Sequence, residues 1–206
     1  MKTWFISIAI ITGLALLTES GAPPKIFDVH LHGSTDPAAQ IKDLKKAGVY
    51  KVAVSSSWDL QNKYRENPEL EILYGLMFPC PAGKVPYSLQ PCFSNGESWP
   101  PVEWVESQLK EGKIDYFGEI LSQYFGISSS DSALFPYYRL AETYGIPIGI
   151  HTGGAGPDHG SADFKMEMGN PILLENTLKQ FPGLKVWIMH SGEPFFKETI
   201  ALMQAN

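Results

Sequence analysis

From residue 26 onward, short apolar runs alternate with stretches whose apolar positions recur every three or four residues. Residues 26–31, 52–54, 72–77, 116–120, 146–150 and 186–189 are runs of the first kind, and their length and flanking glycines and prolines predict strands. Between them the period changes. Asp36 can cap a helix that opens on Pro37, with Ile41, Leu44 and Ala47 on one face and Gly48 at its end. Further helices are predicted over 58–65, 102–110, 134–144 and 171–181, and a last one runs from Pro194 to about Ala205. Long loops are expected over 79–101 and 152–170. Strand and helix thus alternate six times, the pattern of a parallel sheet covered by helices.

A parallel sheet can be doubly wound or closed into a barrel. The first strand runs into His30-Leu31-His32-Gly33-Ser34 rather than a G-x-G-x-x-G turn, which disfavours a dinucleotide fold. The expectation is an α/β fold, an incomplete (β/α)8 TIM barrel with about six βα units present, because complete barrels take about 250 residues.

The N-terminus stands apart. Lys2 precedes an uncharged apolar run over 4–17, followed by small and polar residues over 18–22. This predicts a secretory signal peptide over 1–22, too short to span a bilayer, where about 20 apolar residues are needed. An uncleaved anchor is the alternative. The barrel domain is then 23–206, exported to a periplasmic or extracellular space, with no stable membrane insertion after cleavage. Cys80 and Cys92 flank a loop rich in Pro and Gly. In an oxidising compartment they can form a bridge; two unpaired, partly buried thiols are the alternative.

Composition narrows the function. Forty-four percent of the 206 residues are apolar, enough for a core. The net charge is −6 and Lys and Arg form no cluster, which argues against a nucleic-acid partner. Oligomeric state cannot be read from the chain. No G-x-S-x-G is present for a serine nucleophile.

Four of the five histidines fall at the C-terminal ends of predicted strands: His30 and His32, His151, and His190. In a parallel barrel that end builds the active site. Side chains alternate along a strand, so His30 and His32 share one face while Phe27, Val29 and Leu31 are expected to pack on helices. Glu119 is the one acid in an otherwise apolar strand end, where a carboxylate needs a cation or hydrogen bonds. Together His30, His32, Glu119, His151 and His190 form a candidate site for one or two divalent ions, Zn²⁺ first among them. His159 lies in the long 152–170 loop and reads as a solvated residue, as do Asp158 and Asp163.

Phe27-Asp28-Val29-His30-Leu31-His32 resembles the first-strand metal motif of the amidohydrolase superfamily. Ile150-His151-Thr152-Gly153 with Gly169-Asn170-Pro171, and Val186 to Gly192 around His190, resemble strands five and six of its amidohydrolase-related branch. The resemblance implies a metal-dependent hydrolase acting on a small amide, ester, lactone or phosphoester, with metal residues at His30, His32, His151 and His190 and with Glu119 at the strand-four position. In a one-metal version it implies His190 as a catalytic group. It also implies an aspartate closing an eighth strand, to which no residue here corresponds. A metal-dependent decarboxylase of the same branch and a non-catalytic remnant are the other readings.

Overall fold

A computed structural model describes residues 25–66, 69–154 and 158–206. The 1–22 segment expected as a signal lies outside the described residues. Six strands form one parallel sheet in chain order: β1 (Ile26–His32), β2 (Val49–Ser56), β3 (Glu71–Phe78), β4 (Tyr116–Ile120), β5 (Pro147–His151) and β6 (Lys185–Met189). Between them run α1 (Pro37–Lys46), α2 (Trp58–Arg65), α3 (Val102–Lys110), α4 (Phe135–Tyr144) and α5 (Leu174–Gln180), and α6 (Phe196–Ala205) follows β6. The architecture is the expected one, six βα units curled as part of a TIM barrel.

Local chemistry sets the helix ends. The Asp36 carboxylate accepts from Ala39 N and Pro37 opens α1. Gly145, at φ 68°, stops α4 in the left-handed conformation that a Cβ disfavours. Before α5 the chain makes a tighter 3-10 turn, Pro171–Leu173, because the Asn170 side chain accepts from Ile172 N. The predicted 171–181 helix is therefore two pieces. β2 is longer than the apolar run 52–54. Its polar end is buried instead, with Ser55 Oγ 3.0 Å from Tyr116 Oη.

One face of the sheet packs on the helices: Leu76, Phe117 and Ile148 meet Val105, Tyr138 and Ala141. The other face carries Ala53, Tyr116 and Met189, the plug of the barrel interior. Glycines make its room. A Cβ on Gly75 would lie 2.2 Å from the Tyr116 ring, and one on Gly149 would lie 2.3 Å from Met189 Cε.

β1 and β6 are the outer strands of the sheet. Of the β1 residues expected to pack on helices, Leu31 does so, whereas Phe27 and Val29 stay exposed, Val29 to 44%. The physical reason is that an outer strand has a helix on one side only. At the other flank Phe196, Ile200 and Met203 of α6 are exposed beside Val186 and Ile188. Among the described residues no helix is long and apolar enough to cross a membrane.

The β3–α3 loop is a folded unit. Cys80 and Cys92 are bonded, both buried, and Lys84 pairs antiparallel with Pro91. Val85 N donates to Gln90 O and Cys92 N to Gly83 O, so residues 83–92 form a hairpin.

A candidate metal centre at the strand ends

Parallel strands end together, so residues that close different strands become neighbours. Glu119, one residue from the end of β4, lies at the centre, 1% exposed. His32 Nε2 donates to its Oε2 at 3.0 Å and His190 Nε2 to its Oε1 at 2.9 Å. His30 Nε2 stands 3.5 Å and His151 Nε2 3.8 Å from the same Oε1. The imidazoles crowd one another, with ring centroids 4.7 Å apart for His30 and His190 and 4.5 Å for His151 and His190. All five candidate residues therefore meet at one point.

Burial alone would push the Glu119 carboxyl up. The neighbouring His190, His30 and His32, with a smaller contribution from His151, outweigh it and hold the group well below the usual carboxylate range. His151 goes the other way from its ordinary value. Burial pushes it down to about 4, against the attraction of Glu119, so it is neutral at neutral pH.

The donor set suits a divalent cation. Ligand atoms of His30, Glu119 and His190 all lie within 4.8 Å of one another. His30 Nε2 and His151 Nδ1 are buried with no hydrogen-bond partner among the described residues. For His30 Nε2, 3.5 Å from Glu119 Oε1, an unpartnered nitrogen beside a carboxylate is a costly arrangement that a cation between them relieves.

His190 is delivered by a strained turn. It has φ 61° and Ser191 φ 54°, both in the left-handed region that side chains disfavour, and Gly192 follows at φ 74°. The turn is tied to the loop after β5. Gly154 N donates to Glu193 O, and the Thr152 hydroxyl donates to Met189 O. Gln123 Nε2 donates to Gly153 O at 2.8 Å, bracing that loop from the β4 side.

Two aromatic residues that the sequence did not single out border the site. Tyr87, in the disulfide-closed hairpin, stacks on His32 with centroids 4.1 Å apart and planes 8° from parallel. Burial, and then the charge of Glu119, hold its hydroxyl well above the usual tyrosine range. Tyr124 meets His151 edge-on at 5.1 Å. His159, expected in solvent, is half-buried and lies 6.3 Å from Tyr87 and 6.0 Å from Tyr124, centroid to centroid. The cause is the turn at the loop tip, where Asp158 accepts from Gly160 N and His159 takes φ 49°. Asp158 is exposed, as expected. No local pattern announces these contacts, because they are made between loops distant in sequence.

Comparison with known proteins places the fold. A family model described as amidohydrolase matches residues 100–206. No curated protein matches the chain. Among solved structures, a dihydroorotase from Campylobacter jejuni is similar with a TM-score of 0.51 and 17% identity, over 85% of this chain and 49% of its own. A 4-oxalomesaconate hydratase from Rhodopseudomonas palustris is similar with a TM-score of 0.52 and 16% identity, over 87% of this chain and 68% of its own. The chain thus spans about half the length of the dihydroorotase. Six βα units in one parallel sheet, with a family match across more than half of the residues, lead to one conclusion: the chain belongs to the amidohydrolase family.

Proposed function

We propose that the chain carries the metal-binding part of a metal-dependent hydrolase acting on a small molecule with an amide, ester, lactone or phosphoester bond. The observation that carries the reading is the Glu119 carboxylate, 1% exposed, with four imidazole nitrogens within 3.8 Å. His30, His32, His151, His190 and Glu119 would hold one or two divalent ions, with Zn²⁺ favoured by the nitrogen-rich set. Bound there, such an ion would lower the pKa of water and polarise the scissile carbonyl or phosphoryl group.

The chain's own groups do the rest. Two carboxylate oxygens turned to different imidazoles suit Glu119 to join two cations and offset their repulsion. His190 Nε2 lies 2.9 Å from Glu119 Oε1, and in a one-ion arrangement it would orient water or hydrogen-bond the substrate. Tyr87 stacks on one face of His32 and Tyr124 meets His151 edge-on, so both rings border the site. The buried Cys80–Cys92 bridge supports export to an oxidising compartment, and N-terminal sequencing of the mature protein tests it.

Metal analysis tests the central reading. The protein should bind divalent metal, and His30→Ala and His32→Ala should each lower its metal content. Wild-type stoichiometry in both variants would overturn the assignment. A ratio near one metal per chain in active protein would favour the one-ion arrangement, with His190 acting on substrate. Release of carbon dioxide from an aromatic acid, with no hydrolysis, would replace hydrolase by decarboxylase.

A further inference from the structure

His32 is the most exposed of the four imidazoles around Glu119. It lies at the end of β1, an outer strand among the described residues, and its side chain is 38% exposed. The hydrogen-bond register of β1 is irregular just before it, between Asp28 and Leu31. Among the described residues its side-chain hydrogen bond, from Nε2 to Glu119, places the nitrogen, and the His30 ring meets it edge-on at 5.2 Å on one side. An imidazole that ligates metal needs its plane fixed as well as its nitrogen placed.

Tyr87 supplies that restraint. Its ring lies flat on the imidazole, 4.1 Å away and 8° from parallel. Its hydroxyl donates to Met77 Sδ at 3.7 Å, which anchors the far end of the ring to buried β3. The hydroxyl is thereby turned to the protein. The ring is what meets His32. Tyr87 sits near the tip of the 83–92 hairpin, where Leu89 N donates to Val85 O at 2.8 Å. The hairpin base is closed by the Cys80–Cys92 bond and held by Cys80 N donating to Ser98 O and Trp58 N to Cys92 O, both at 2.9 Å. Gly83 is part of the closure: at φ 70° its Cβ would lie 2.1 Å from Gly96 O, so only glycine fits.

We infer that Tyr87 is a positioning residue, held by the disulfide-closed hairpin, whose ring fixes the plane of His32 so that Nε2 faces the Glu119 site. The effect on metal rests on the proposed metal-binding reading; the effect on the His32 ring does not. Groups around an imidazole ligand that set its orientation are commonly worth about 10–100-fold in metal affinity.

The test uses the full chain and three variants, Tyr87→Phe, Tyr87→Leu and the double substitution Cys80→Ser/Cys92→Ser. In the metal-free protein, the His32 ring protons should show the upfield ring-current shift of a stacked aromatic by NMR. The shift should persist in Tyr87→Phe and vanish in Tyr87→Leu and in the cysteine variant. Zn²⁺ titration against a competing chelator should show affinity lowered at least about tenfold in Tyr87→Leu and restored in Tyr87→Phe. In a His32→Ala background, Tyr87→Leu should add nothing further, which a general loss of structure would not produce. Unchanged ring shifts and affinity in Tyr87→Leu, or a Phe variant as impaired as the Leu variant, would overturn the inference. A wild-type chain that takes no Zn²⁺ refutes the metal reading, and the metal-free ring shifts still decide the role of Tyr87.

Discussion

Glu119 is a buried carboxylate, and its surroundings explain how it is tolerated. An isolated ionised acid at 1% exposure costs several kcal/mol, which here is offset by two imidazole hydrogen bonds and two further imidazoles close by. Glu119→Gln keeps the shape and removes the charge. Metal affinity should fall at least about tenfold, read by competition with a chelator, while the far-ultraviolet circular dichroism stays that of the wild type. His151 makes a pH prediction. Its folded value of about 4 lies below the ordinary 6.5, so the unfolded chain takes up the proton first as pH falls. Its contribution to stability is complete above pH 6.5 and is lost progressively toward pH 4. In metal-free protein, the drop in urea midpoint between about pH 7 and about pH 5 should be smaller in His151→Asn than in wild type; equal drops would contradict it. The five candidate residues were legible because strand ends and alternation are local patterns. Tyr87 and His159 were not, because a hairpin and a loop tip aim them across long stretches of chain.

At the scale of elements, the turn after β6 concentrates backbone strain. His190, Ser191 and Gly192 are successive left-handed residues. Side chains at such angles cost about 1–3 kcal/mol each, an amount the surroundings must offset. Thr199 Oγ1 donates to Ser191 O at 2.9 Å and Glu193 N to His190 O at 3.2 Å. Gly192 has no room for more: its Cβ would lie 2.3 Å from Thr199 Oγ1 and 2.6 Å from Pro171 Cγ. Gly192→Ala should therefore destabilise by about 1–3 kcal/mol in urea and displace His190. An unchanged midpoint would show that the turn relaxes freely. The six strands and six α-helices were legible in outline, since short apolar runs alternate with stretches whose apolar positions recur every three or four residues. Boundaries failed where tertiary partners decide. The buried serines of β2 look like a loop until Tyr116 pairs with Ser55, and the 3-10 turn before α5 depends on the Asn170 side chain.

For the whole molecule, the candidate centre is also a clasp. His30 and His32 come from β1 and His190 from the turn that follows β6, at the two outer flanks of the sheet, and all three reach Glu119 on β4. Metal bound there ties the flanks of the sheet together and should raise the unfolding midpoint. The gain is about 2.7 kcal/mol with free ion at a hundred times its dissociation constant, removed by a chelator. Below the clasp the flanks carry Phe27 and Val29 on one side and Phe196, Ile200 and Met203 on the other. Outer strands and apolar faces of this kind promote association unless covered. Ile200→Lys with Met203→Lys should increase the monomer fraction by light scattering; no change would place association elsewhere. Six units were legible from the sequence because each repeats the same local pattern of a short apolar run followed by a helical stretch. The clasp also orders events in time. Its nitrogens come from β1, the end of β5 and the turn after β6, so the centre forms only after the long-range contacts that join these segments, the ones that slow folding, have been made. Metal should then leave the refolding rate almost unchanged and slow unfolding, the signature of an interaction made after the transition state.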